Sequence, residues 1–162
     1  MSTIKKIRKY LLNCFWLILP VIIFNIIAVK FLPQYYLVDI EHPIVIIETI
    51  LRIFTVLLPF VMVMDFSSKA SKIGIIIYLA GFFIYACSYF IAINHSHTFF
   101  GSNIIVVLAP YWTSIIWLIG IGLIGTKLFI NLRYHYSLYF FISIAFVIVH
   151  CYHGYLCYIK EI

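Results

Sequence analysis

IGIIIYLAGFFIYACSYFIAI, running from Ile73 to Ile93, contains no charged residue. A helix rising 1.5 Å per residue needs about 20 predominantly apolar residues to cross about 30 Å of hydrocarbon, and this stretch supplies them. A transmembrane strand would be about 10 residues long and alternate in polarity, which the stretch does not do. Four further runs have the same character: Leu11 to Phe31, Ile44 to Met64, Ile104 to Ile124, and Leu138 to Cys157. The expectation is an all-α integral membrane protein, one transmembrane domain over residues 1–162 built as a five-helix bundle. Backbone groups cannot go unpaired in lipid, and continuous helices pair them internally.

Composition excludes the alternatives. Of 162 residues, 65% are hydrophobic and 10% charged, and mean hydropathy is +1.14. A soluble domain carries about 25% charged residues to cover its surface. A disordered chain needs low hydrophobicity and high net charge. The breaks carry turn chemistry: Leu32 to Pro43 has two prolines and two acids, Asp65 to Lys72 is rich in Ser and Lys, and Asn94 to Asn103 reads NHSHTFFGSN. In the fourth break, Thr126 to Ser137, the segment KLFINLRYHYS is a candidate amphipathic extension along the headgroups. No internal repeat is present. The first run exceeds the 7 to 15 residues usual in a signal peptide and lacks an A-x-A site, so it is expected to be retained.

Orientation follows from Lys and Arg, which accumulate on cytoplasmic flanks. Lys5, Lys6, Arg8, Lys9, Lys69, Lys72, Lys127 and Arg133 fall on one side, Lys30 and Lys160 on the other. The asymmetry predicts a cytoplasmic N-terminus, a C-terminus outside, and residence in a bacterial cytoplasmic (inner) membrane. It also accounts for the net charge of +6 without nucleic acid, since the basic residues are spread over three flanks and line no groove.

The same threading places most acids and histidines on the outer half: Asp39, Glu41, His42, His95, His97, His153 and Glu161 at or beyond the interface, Glu48 and His150 somewhat deeper. Glu48 and Arg52 stand at i,i+4 within the second run, a spacing that pairs them on one helical face continued by Thr55 and Pro59. Counted from Pro43, Arg52 lies about 13 Å along its helix, near mid-membrane, where a charge costs at least about 2.5 kcal/mol and must face protein or water. The structural account is a neutralised pair that sets helix register; the functional one is a buried polar pocket.

His150, His153 and Cys157 share the face of the last run, as HCYHGYLC. Neutral imidazole and thiolate are donors to a divalent metal or a haem, with His95 or His97 available from the nearby loop. The competing reading is a belt of interfacial side chains among Tyr152, Tyr155 and Tyr158. In the third run Gly74, Tyr78, Gly81, Tyr85, Ser88, Ala92 and His95 form one stripe, which suits a helix-packing seam or a polar path rising to His95. Gly120 to Gly125 matches G-x-G-x-x-G, but it closes an apolar helix and follows no strand, so it does not signal a dinucleotide.

Two functions fit. The first is a small polytopic protein with an outward-facing polar pocket formed by Glu48, Arg52, His95, His150 and His153, acting in binding, transport or as an accessory subunit. The second is a membrane-embedded enzyme, metal-dependent or acid/base, acting on a lipid or lipid-linked substrate at the outer interface. The expected partners are the lipid bilayer, a lipid or small-molecule ligand, and other membrane subunits or copies of the same chain.

Overall fold

In a computed structural model the chain is described at residues 12–33, 36, 40–95, 98–99, 101, 103–129 and 135–161. The basic N-terminal residues, Asp39, His97, Ser102 and Arg133 lie outside them.

Helices dominate. They are α1 (Phe15–Ala28), prolonged by a 3-10 turn (Val29–Phe31), α2 (Pro43–Val61), α3 (Lys69–His95), α4 (Ile104–Val107), α5 (Ala109–Trp112), α6 (Ser114–Ile124) and α7 (Tyr136–Glu161), with two short strands, β1 (Met62–Val63) and β2 (Lys127–Leu128). Three of them, α2, α3 and α7, are long and apolar enough to cross a membrane.

Each boundary has a local cause. Pro43 opens α2 because the first helical turn has no use for its missing N–H, and His42 Nδ1 accepts the N–H of Ile44 at 3.1 Å. The expected fourth run is broken into α4, α5 and α6. Asn103 caps α4 through its side chain at 2.9 Å, and Pro110, in the first turn of α5, has no N–H with which to continue the ladder. The amphipathic extension of this run does not form at its start. The helix stops at Ile124, and Lys127–Leu128 instead pairs antiparallel with Met62–Val63; residues 130–134 lie outside the described set.

That pairing gathers one end of the molecule. Cys14 N–H donates to Met62 O at 2.9 Å, Met64 N–H to Leu12 O at 2.9 Å, and Asp65 N–H to Ile124 O at 3.3 Å. Lys127 also stands 3.5 Å from the Asp65 carboxylate. The start of α1 and the ends of α2 and α6 are thereby held together, so successive apolar segments run in alternating directions.

Neighbour relations form a ring: α1 packs on α2, α2 on α7, α7 on α6, α6 on α3, and α3 returns to α1. The α3–α6 seam is the closest. A Cβ on Gly81 would lie 2.6 Å from Trp117 N, and one on Gly120 would lie 2.5 Å from Tyr78 N, so the two backbones touch only because both residues lack side chains. The predicted stripe is this seam: Gly74, Tyr78, Gly81, Tyr85, Ser88 and Ala92 are all buried. Tyr78 and Tyr85 also reach α1, donating to Leu17 O at 2.6 Å and Asn25 Oδ1 at 2.7 Å.

Polarity is inverted relative to a soluble domain. On α2 the buried residues are Glu48, Thr55 and Pro59, whereas Ile46, Ile50, Ile53 and Leu57 are exposed. Such a helix turns its polar face to the bundle and its apolar face outward.

Candidate functional site

The Glu48 carboxylate is the centre of a polar cluster between α2 and α7. It is 2% exposed. One oxygen pairs with the Arg52 guanidinium one turn along the same helix. The other is hydrogen-bonded to His153 Nδ1. His150 Nδ1 stands 3.0 Å from the first oxygen. The His150 ring is held between Phe146, stacked at 5.0 Å, and Tyr111 at 4.5 Å. One buried anion thus faces one permanent cation and two titratable rings. This arrangement lets charge be rearranged inside the cluster while its sum is kept small.

Arg52 leads from the cluster into a cavity. It occupies about 480 Å³ and takes lining residues from every apolar segment: Asn25, Arg52, Tyr85, Trp117 and His150 among them. Along α1 the lining extends from Ile18 to Val29, about 16 Å at 1.5 Å per residue. The walls combine aliphatic side chains, with Ile18, Val21, Ile22 and Val56 on α1 and α2, and aromatic ones from the other segments. Polar groups interrupt the wall, among them Asn25, Arg52, Thr55, Tyr85, Tyr89 and Ser114. The Tyr85 hydroxyl is committed to Asn25 and lies 3.1 Å from the Tyr89 hydroxyl. The Trp117 indole N–H has no acceptor, although Trp117 is only 7% exposed. The guanidinium of Arg52 keeps N–H groups beyond those that Glu48 engages. An apolar cavity with a few convergent polar groups is the usual form of a small-molecule site.

Of the residues expected to form a pocket, Glu48, Arg52, His150 and His153 come together. His95 does not: it is exposed at the end of α3 and lines no part of the cavity. The predicted polar path therefore stops at Tyr85 and Tyr89. The ligand set His150, His153 and Cys157 is not assembled as a metal centre, and among the described residues no group of three or more His, Cys, Asp or Glu side chains is placed to hold a metal. The two imidazoles turn toward Glu48, next to a guanidinium whose positive charge would oppose a bound dication.

Sequence reading missed the cavity wall. Trp117 and Tyr89 sit in apolar runs with nothing local to mark them. Asn25, the polar interruption of the first run, was the available signal. No known protein family, no curated protein and no solved structure matches the chain.

Proposed function

We propose that this is a small polytopic membrane protein that binds an apolar or amphipathic small molecule inside its helical ring, in transport or as an accessory subunit. The observation that carries this reading is the 480 Å³ cavity, lined from all the apolar segments, into which Arg52 projects from a buried Glu48–His cluster. An ionisable cluster costly to insert has no packing advantage over aliphatic residues, so its presence at the cavity wall favours a working role.

The accompanying topology has five spans, with α4, α5 and α6 acting together as the fourth, the N-terminus cytoplasmic and the C-terminus outside. It is supported by the gathered ends of α1, α2 and α6, beside which Lys69, Lys72 and Lys127 fall, and by the Lys and Arg asymmetry of the sequence. The whole chain then acts as one domain in a bacterial cytoplasmic membrane, with the cavity on its outer half.

Native mass spectrometry of protein released from nanodiscs tests the pocket. The parent is expected to retain a bound amphiphile, and Val56→Phe, which fills the cavity from α2, is expected to lose it. A parent that retains none, and whose melting temperature no added amphiphile raises, removes the reading.

A further inference from the structure

We propose that the cavity takes an apolar-tailed monoanion, bound at Arg52 together with one proton that the His150–His153 pair takes up. The proposal rests on the pocket reading above and adds to it the ligand's charge and a coupled ion.

The argument is a charge count. With both imidazoles neutral, the Glu48 anion and the Arg52 cation sum to zero. Among the described residues lining the cavity no other formal charge faces the cluster: α1 contributes Asn25, the connection before α2 contributes Tyr36, α3 contributes Tyr85 and Tyr89, the fourth segment contributes Tyr111, and α7 contributes the two histidines themselves. An anion entering alone would leave a net negative charge in a low-dielectric site, which is expensive. If Arg52 turns to the anion, Glu48 must keep a counter-charge, and the structure has already placed one. His153 Nδ1 is bonded to one carboxylate oxygen and His150 Nδ1 is 3.0 Å from the other. A proton on this pair restores neutrality, giving imidazolium with Glu48 and guanidinium with the ligand.

The Arg52 side chain points to the same ligand class. It lines the cavity and keeps N–H groups beyond those that Glu48 engages, so it can donate to an occupant that accepts hydrogen bonds. The aliphatic residues from Ile18 to Val29 accommodate a tail.

Tryptophan quenching reads this directly. Trp16 and Trp112 are exposed, so Trp16→Phe with Trp112→Phe removes the signals that lipid partitioning would report and leaves buried Trp117. In phosphatidylcholine nanodiscs the probes are a bromine-tailed alkanesulfonate, whose head stays charged throughout the titration, and the matching alcohol. The sulfonate is expected to quench Trp117 and to bind about tenfold more tightly at about pH 6 than at about pH 8, because a bound proton and a bound anion favour each other reciprocally. The alcohol is expected to quench without pH dependence. His150→Gln with His153→Gln should abolish the pH dependence, and Glu48→Gln should bind sulfonate at high pH as tightly as the parent does at low pH. Sulfonate binding that ignores pH in the parent overturns the proton coupling while leaving the pocket intact. Equal binding of sulfonate and alcohol at every pH overturns the anion site and leaves an apolar pocket. Absence of quenching by either probe overturns the pocket reading itself.

Discussion

His153 and Glu48, 105 positions apart in the chain, are joined by a hydrogen bond between Nδ1 and a carboxylate oxygen. The C-terminal half of α7 is thus locked to the N-terminal half of α2. Because Glu48 is buried and also holds Arg52, removing its partners leaves a buried carboxylate without its counter-charge.

The Glu48–Arg52 pair should behave as a unit. Glu48→Leu leaves Arg52 without its counter-charge and is expected to lower stability by about 2.5 to 3.5 kcal/mol, the insertion cost of a central charge. Adding Arg52→Leu should recover most of that loss. Thermal unfolding of the two single variants and the double variant in one detergent measures the coupling; strictly additive effects would show that the charges do not interact.

The α3–α6 seam should reject even a methyl group. Gly81→Ala and Gly120→Ala each drive a Cβ into backbone atoms 2.5 to 2.6 Å away, and a loss of about 1 to 3 kcal/mol is expected from overpacking. Gly122→Ala meets the Phe140 ring, whose nearest atom is 2.3 Å away but belongs to a side chain. It should cost less than the other two in the same unfolding assay.

Topology is open to labelling in intact cells. A cysteine at Ser67 is expected to be shielded from an impermeant thiol reagent, and one at Ser102 to react, since the Lys and Arg asymmetry puts the first on the cytoplasmic side. The reverse pattern would invert the proposed orientation.

Asp65, in the connection between β1 and α3, gives a pH-dependent term. The hydroxyl and backbone N–H of Ser67 donate to its carboxylate at 2.5 and 2.9 Å and hold its pKa below the ordinary value. A depressed folded pKa stabilises above the unfolded value of about 3.9 and loses that contribution as pH falls through the folded one. Asp65→Asn should therefore lower the melting temperature at neutral pH and match the parent below about pH 4, so that the difference between the two profiles closes as the parent's carboxylate is protonated.

How far the sequence reached differs from residue to residue. The Glu48–Arg52 pairing was legible because i,i+4 spacing on a helix is local geometry. The burial of Gly74, Tyr78, Gly81, Tyr85, Ser88 and Ala92 was legible for the same reason. His95 stands exposed at the end of α3 and lines no part of the cavity, because which part of a helix borders a cavity depends on packing between segments far apart in the chain. The two-strand tie between Met62–Val63 and Lys127–Leu128 had no signal, since short extended segments at helix ends acquire their order from each other.

The sequence by itself determined the helical class, the apolar segments and the side-by-side charges of α2, because hydrocarbon thickness and helical pitch act on contiguous residues. Only the tertiary structure decided that α2 neighbours α7, that the ring closes in the order α1, α2, α7, α6, α3, and that Trp117 and Tyr89 share a cavity with Arg52. The physical reason is that every apolar helix satisfies lipid equally well on its own. Which helices meet is chosen by small residues that allow close approach and by buried polar groups that need partners, and those choices join positions far apart in the chain.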